Sequence, residues 1–118
     1  MSGSLGRRPS YVPDRGDIVW LLFDPQAGHE QAGRRPALVI SPKAYNVKSN
    51  LALFCPITSR IKGYPFEVNL PAGGKVTGAV LADQIKSLDW SVRRARLILK
   101  VPPEILALVI AKIHTLIE

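Results

Sequence analysis

The chain is poor in the residue types that build disulfides and metal sites. It has one cysteine, Cys55, and two histidines in 118 residues. A lone cysteine cannot form an internal disulfide, and protein metal sites draw on several such ligands. We therefore expect no disulfide framework, no metal and no cofactor, and a reducing cytoplasmic location.

Other missing features each remove a class of protein. No apolar run is long enough to cross a bilayer, so we expect no membrane association. No hydrophobic stretch follows the positive charges in residues 1–10, so this segment is predicted to be a flexible basic tail and not a signal peptide. The sequence has no P-loop, no dinucleotide-binding glycine pattern and no serine in a nucleophile-elbow context. Nucleotide-driven and serine-hydrolase chemistry are therefore not predicted.

Acidic residues are scarce relative to basic ones. The chain has 9 Asp and Glu against 16 Lys and Arg, which gives a net charge of +7. This excess favours a polyanionic partner such as nucleic acid, although a soluble protein can also be basic without one. Hydrophobic residues make up 47% of the chain, enough for a core. The length then indicates one domain, over residues 11–118.

Short apolar runs separated by turn residues predict a small sheet. The expected strands span 17–23, 36–41, 51–58, 66–70, 77–82 and 95–101, the fourth and fifth forming a hairpin. Residues 42–48 are predicted to form one helical turn, and 83–90 a short strand and a turn. Pro56 indicates an edge position or a bulge near the end of the third strand.

The last segment, residues 102–118, is predicted to be a helix that starts at two prolines. Its apolar face is expected to hold Ile105, Leu108, Val109, Ile113, Leu116 and Ile117. Leu106 and Ile110 lie off this stripe, so the helix could also cover a partner subunit. Short strands closed by one helix predict a mainly β, α+β fold, with a small bent antiparallel sheet or barrel.

Polar residues recur in three clusters where predicted strands begin or end. The first holds His29, Glu30, Gln31, Arg34 and Arg35; the second holds Thr58, Ser59, Arg60 and Lys62; the third holds Asp83, Gln84, Lys86 and Ser87. Strand ends of a small barrel can converge on one groove, where binding and chemistry are usually found. We predict that these clusters form one site.

Metal-free cleavage of RNA by its own 2′-hydroxyl suits these residue types. The substrate supplies the nucleophile, and the enzyme supplies a base, a proton source and cations around the phosphate. Arginine fits the last role because its planar fork matches phosphate oxygens. Simpler interpretations remain open: Arg34 and Arg35 as a solvated pair, His29 as a surface residue, and Tyr64 and Trp90 as core or interface aromatics. An exposed ring could also stack on a base.

The chain resembles the MazF/PemK family of bacterial toxin–antitoxin ribonucleases. The matching segments are "VPDRGDIVWLLFDPQAGHEQAGRRPALVISP", "CPITS", "KGYPFEV", "GAVLADQIKSLDW" and "VPPEILALVIAKI". The resemblance implies a small SH3-like β-barrel that forms a homodimer. It also implies metal-independent, sequence-selective cleavage of single-stranded RNA, mainly mRNA, leaving 2′,3′-cyclic phosphate and 5′-hydroxyl ends. A cognate MazE-type antitoxin with an acidic C-terminal tail is expected to cover the RNA groove.

The resemblance also assigns roles to residues. Arg35 matches the family's catalytic arginine and Thr58 its catalytic threonine. Glu30 matches a glutamate implicated in activity, and His29 a histidine that only some members have. The "DQ" pair near the substrate corresponds to Asp83 and Gln84, and Leu81 stands where some relatives have an arginine.

Two alternatives to a ribonuclease stay open at this point. One is a toxin of similar architecture that acts on a DNA topoisomerase by binding alone. The other is a small-barrel module that binds RNA or peptide without cutting it.

Overall fold

The computed structural model describes residues 11–23 and 33–118, which form one antiparallel sheet with helices packed on it. The strands are β1 (Asp17–Leu22), β2 (Arg34–Val39), β3 (Leu51–Thr58), β4 (Glu67–Asn69), β5 (Ala79–Leu81), β6 (Lys86–Asp89) and β7 (Arg96–Lys100). The helices are α1 (Lys43–Ser49) and α2 (Pro103–Ile117), and a 3-10 turn, Ala82–Gln84, joins β5 to β6. In the described part of the chain, no helix is both long and apolar enough to span a membrane.

The strand order is β4-β5-β3-β2-β1-β7, with β6 paired to β3 off this path. Every ladder is antiparallel. The predicted fold class, mainly β with a C-terminal helix, is confirmed. Within the described ranges no ladder joins β4 to β7, so the sheet is open and the word barrel describes it only loosely.

Strand β3 connects the two parts of the sheet. Its residues 51–54 pair with β6, and its last two residues pair with β5 through Ile57 with Val80 and Thr58 with Ala79. Pro56 lies between these two ladders, at a position where a residue without an N–H is tolerated. β3 is nevertheless an interior strand, so the edge position, one of the two alternatives predicted for Pro56, is wrong.

Both faces of the central strands are buried. Side chains of one core cluster include Ile18, Leu38, Cys55, Ile57 and Val109. Side chains of the other include Val19, Leu21, Val39, Phe54 and Trp90. Neighbouring residues along a strand point to opposite faces, so a strand buried on both sides reads as a continuous apolar run. For this reason the central strands are recognisable from their apolar composition and not from an alternation of apolar and polar residues.

Helix α2 packs on the sheet with only part of the predicted face. Val109 is buried, and Ile105, Leu106 and Ile113 pack against the same cluster. The prediction is wrong for three residues of the expected stripe, which are exposed: Leu108, Leu116 and Ile117. Leu106, expected off the stripe, is in contact with the core. The helix is apolar on most of its surface, so spacing alone could not select the packed side.

A buried carboxylate anchors the start of β1. Asp17 is 1% exposed and accepts hydrogen bonds from the Tyr11 hydroxyl, the Asp14 backbone N–H and the Lys100 ammonium group. Burial and the hydrogen bond to Asp17 raise the pKa of Tyr11. The hydrogen bond that the Lys100 ammonium donates to Asp17 raises the pKa of Lys100. The carboxylate is therefore satisfied, as a buried charge requires, and it ties β1 to β7.

Candidate active site

A cavity opens where β2 and β3 stop pairing. The ladder between them pairs Ala37 with Pro56, and two residues further along the same register would set Arg35 opposite Thr58. There β3 has turned to pair with β5. A cavity of about 420 Å³ lies at this point, and its walls are formed by Arg35, Pro36, Pro56, Ile57, Thr58, Ser59, Arg60, Thr77, Leu81 and Gln84.

This cavity brings together members of all three clusters predicted from the sequence. Arg35 comes from the first cluster, Thr58, Ser59 and Arg60 from the second, and Gln84 from the third. They converge because β3 contacts both β2 and β5, and the turn carrying Gln84 follows β5 directly. Thr77 and the two prolines of the wall were not predicted as site residues, because nothing local marks them as part of a site.

Other predicted site residues lie elsewhere. Arg34, next to Arg35, places its guanidinium 5.0 Å from the centre of the Trp20 ring. Asp83 is exposed and acts electrostatically on Cys55. Lys86 is exposed on β6, opposite Phe54. None of these three residues lines the cavity. Among the remaining candidates, His29, Glu30 and Gln31 lie outside the described residues.

The described wall of the cavity carries positive charge. Two guanidinium groups, those of Arg35 and Arg60, are exposed there, and the described residues that line the cavity include no Asp or Glu. Guanidinium stays protonated in proteins and presents several N–H donors in one plane. The cavity therefore offers fixed positive charge and planar donors, which suit a phosphate or another anion.

The Thr58 hydroxyl is oriented by its own loop. Its Oγ1 accepts a hydrogen bond from the backbone N–H of Arg60 at 3.0 Å. A hydroxyl has one hydrogen to donate besides its lone pairs. Because Oγ1 is the acceptor in this contact, the Thr58 hydrogen remains available to donate to a ligand in the cavity.

Gly78 determines how closely β5 approaches Thr58. Its φ is +111°, and a Cβ added there would lie 2.0 Å from the Thr58 carbonyl oxygen. The Gly78 carbonyl accepts a hydrogen bond from the Leu70 N–H at 2.8 Å, which fixes the turn between β4 and β5. Only glycine combines this conformation with this approach. The placement of Thr58 thus depends on a residue that sequence reasoning did not select.

A second cavity adjoins the first. It has a volume of about 110 Å³ and is lined by Thr58, Arg60, Lys62, Tyr64, Glu67, Leu81 and Gln84. The sequence predicts Lys62 as a binding residue, and base stacking is one of the alternatives that it leaves open for Tyr64. Glu67 was missed, although it lies in the segment "KGYPFEV" that carried part of the family resemblance.

Two further groups bear on possible chemistry. In the described ranges, no three His, Cys, Asp or Glu side chains cluster so that they could hold a metal ion. Burial, assisted by the negative charge of Asp83, raises the pKa of Cys55 to about 12. At neutral pH its thiol is therefore protonated and a poor nucleophile.

The sequence matches one family model over almost its whole length. Residues 14–117 match the PemK-like, MazF-like toxins of type II toxin–antitoxin systems. The chain belongs to this family. The family predicted from the sequence is therefore confirmed. Within the family, the chain is 52% identical over 107 residues to the endoribonuclease toxin MazF of Escherichia coli strain K12, covering 91% of this chain and 96% of the relative. It is 36% identical over 123 residues to the endoribonuclease PemK of Escherichia coli, covering 99% of this chain and 90% of the relative.

Solved structures of the family share the fold. A crystal structure of MazF from Deinococcus radiodurans matches with a TM-score of 0.81 at 59% identity, covering 90% of this chain and 96% of that chain. A MazE–MazF complex from the same organism matches with a TM-score of 0.81 at 53% identity, covering 90% and 95%. The likeness extends over nearly the full length of each protein, so the cavity lies within the shared family fold.

Proposed function

We propose that the chain is the toxin endoribonuclease of a type II toxin–antitoxin system. It cleaves single-stranded RNA, mainly mRNA, sequence-selectively and without a metal. The curated relatives named as endoribonucleases support the activity itself. The observation that carries the finer chemistry is that Arg35 and Thr58 line one cavity, together with a second guanidinium group, that of Arg60.

The proposed reaction is attack by the 2′-hydroxyl oxygen on the adjacent phosphorus. A base removes the 2′-hydroxyl proton, the new O–P bond forms, and the bond from phosphorus to the 5′ oxygen breaks. That oxygen takes a proton, with water as the proposed source. The products are a 2′,3′-cyclic phosphate and a 5′-hydroxyl. The base is His29 or Glu30, a proposal that rests on the family resemblance.

Arg35 acts in this scheme by stabilising charge. Negative charge accumulates on the phosphate oxygens as the fifth bond forms, and a guanidinium held nearby lowers the energy of that state. Arg35 keeps its own proton, because guanidinium does not give it up in proteins. The Thr58 hydroxyl donates a further hydrogen bond. Removing one such preorganised donor lowers the rate by about 10²–10³-fold in other enzymes.

The proposed partners follow from the same positive site. Besides RNA, we propose a MazE-type antitoxin whose acidic C-terminal tail covers the cavity and a homodimeric assembly in the cytoplasm. A net charge of +7 and the two arginines of the cavity support an acidic occupant. A relative from Deinococcus radiodurans has been crystallised as a MazE–MazF complex.

The test is cleavage of long single-stranded RNAs of varied sequence in excess EDTA by the wild type and by Arg35→Ala. We expect discrete cuts that fade by at least about 10²-fold in the variant. The new 5′ ends should accept phosphate from a kinase without prior phosphatase treatment. A 2′-deoxy substitution at the cut nucleotide should abolish cleavage there. RNA that binds but stays intact would favour the non-catalytic alternative, and cleavage of the deoxy substrate would exclude the 2′-hydroxyl mechanism.

A further inference from the structure

The second cavity adjoins the group proposed to contact the scissile phosphate. It shares Thr58, Arg60, Leu81 and Gln84 with the main cavity. If the scissile phosphate lies between Arg35 and Thr58, the base of that nucleotide or of its neighbour can therefore reach this cavity. Three residues belong to the second cavity alone, namely Lys62, Tyr64 and Glu67.

Tyr64 offers an aromatic surface at the cavity. It is 61% exposed, which is unusual for a large aromatic side chain. The Lys62 ammonium lies 5.7 Å from the centre of its ring, on one face. A ring has two faces, and single-stranded nucleic acid is commonly held by stacking of bases on such rings. Tyr64 can thus receive a base on the face opposite Lys62.

Glu67 offers a hydrogen-bond acceptor with unused capacity. Its Oε1 accepts hydrogen bonds from the backbone N–H groups of Lys62 at 3.0 Å and Gly63 at 2.8 Å. Among the described residues, Oε2 makes only one hydrogen bond, a longer one of 3.3 Å from the Lys62 nitrogen. A carboxylate oxygen can accept two hydrogen bonds. Oε1 therefore holds the loop, and Oε2 is free to read an N–H donor.

Gln84 supplies a second acceptor to the same space. Its side chain lines both cavities and is exposed. Its amide carries one carbonyl oxygen as well as an NH₂ group. An exocyclic amino group on a base has two N–H bonds, which matches the two acceptors from Glu67 and Gln84. Uracil carries O4, an acceptor, where cytosine has its amino group, and its single ring N–H could serve only one of the two acceptors.

We propose that Tyr64, Glu67 and Gln84 form a base-reading subsite next to the scissile phosphate. The subsite selects a base that carries an exocyclic amino group and rejects uracil. This inference rests on the proposed ribonuclease function and adds to it a substrate preference and the residues that set it. The base stacks on Tyr64 while its amino group donates to Glu67.

The decisive variant is Glu67→Gln. The amide oxygen of the glutamine can still accept the hydrogen bonds from the Lys62 and Gly63 N–H groups, so the loop conformation is preserved. Its NH₂ group puts a donor where Glu67 has the acceptor Oε2. RNA with randomised nucleotides around the cut is digested by wild type and variant, and the cut sites are sequenced. In the wild type we expect uridine to be depleted at one position flanking the cut, by about 5- to 150-fold. In Glu67→Gln this depletion should disappear or reverse. The control variant is Glu104→Gln, at the exposed start of α2, and it should keep the wild-type cleavage preference.

Stacking is tested separately with Tyr64→Leu against Tyr45→Leu. Both tyrosines are exposed, at 61% and 45%, and Tyr45 lies on α1 away from the cavities. The first change should lower kcat/KM by about 5- to 150-fold, mainly through KM, and the second should have little effect. Circular dichroism spectra and melting curves identify any variant that does not fold, and Tyr64→Leu provides the test if Glu67→Gln is unfolded.

The outcomes separate this inference from the function it rests on. Intact RNA with the wild-type protein overturns the proposed ribonuclease and the subsite together. Cleavage with no change of preference in Glu67→Gln, or equal kinetics for Tyr64→Leu and Tyr45→Leu, overturns the subsite and leaves the ribonuclease standing.

Discussion

Replacing Gly78 by alanine should disable the site through Thr58, although Gly78 has no side chain to contribute. The new Cβ would lie 2.0 Å from the Thr58 carbonyl oxygen, 2.9 Å from its carbonyl carbon and 3.1 Å from the Ser59 Cα. Contacts below 3.0 Å do not occur for real Cβ atoms, so the backbone of β3 and β5 must separate by about 1 Å. A misplacement of about 1 Å in a catalytic group can cost about 10²-fold in rate.

The variant should also be less stable. Gly78 has a φ of +111°, a conformation that side chains rarely adopt, and the clash adds to that strain. Overpacking of this kind typically costs about 1–3 kcal/mol. We therefore expect a lower melting temperature together with a cleavage rate reduced by about 10²-fold, measured in single turnover at a temperature where circular dichroism shows the variant folded.

Gly73→Ala is the matched control. Gly73 also has a positive φ, +82°, but a Cβ there would meet no atom within 4 Å. It should lose some stability and keep most of its activity. A folded Gly78→Ala that cuts RNA at the wild-type rate would refute the reasoning, because Thr58 would then tolerate displacement. Equal losses of activity in both variants would point to backbone strain and not to the clash.

The remaining predictions concern two groups away from the cavity, Cys55 and the Asp17 network. Cys55 is fully buried, and burial raises its pKa to about 12. A thiol reagent should therefore label the native protein slowly up to about pH 9 and rapidly after unfolding. Fast labelling of the native protein would contradict the burial of Cys55. The pKa of Cys55 is higher in the folded state than its ordinary value near 9, so the stability that Cys55 contributes should fall as the pH rises from about 9 towards 12. Over this pH range, the free energy of unfolding measured in urea should decline less steeply for Cys55→Ala than for the wild type. Asp17→Asn should lower the free energy of unfolding by about 1.5–3 kcal/mol, because a carboxylate that accepts three hydrogen bonds is lost. Lys100→Met should also be destabilising, although the ammonium side chain is 64% exposed, because it leaves the buried Asp17 carboxylate without its cation. Wild-type urea unfolding of both variants would contradict a stabilising role for the Asp17 network.

The fold was predictable where the sequence pattern was strong and local. The predicted third strand, 51–58, has the bounds observed for β3, because a short, mostly apolar run is bounded there by polar residues. β2 starts at Arg34, two residues before the predicted start at Pro36, since the backbone of Leu21 and Leu22 continues the ladder to the arginines. Such pairing depends on the neighbouring strand and has no local signal.

The candidate site was predictable in its residue types but not in its geometry. Arg35 and Thr58 were selected partly because charged and hydroxyl groups stand at strand ends and partly through the family resemblance. Arg34 and Arg35 are neighbours on β2 and therefore point to opposite faces, which follows from the sequence once the strand is placed. The loop contacts of Glu67, in contrast, depend on residues 62 and 63 folding back. Gly78 matters through the carbonyl of a residue twenty positions earlier. Long-range contacts of this kind cannot be read from spacing.

The central claim is that Arg35 and Thr58 act together on one phosphate. A double-mutant cycle tests it most directly, with single-turnover cleavage by the wild type, Arg35→Ala, Thr58→Val and the double variant. Residues that act as a unit give losses that do not add. We predict that the double variant is only slightly slower than Arg35→Ala alone. Rate losses that multiply, as for two independent groups, would contradict the account.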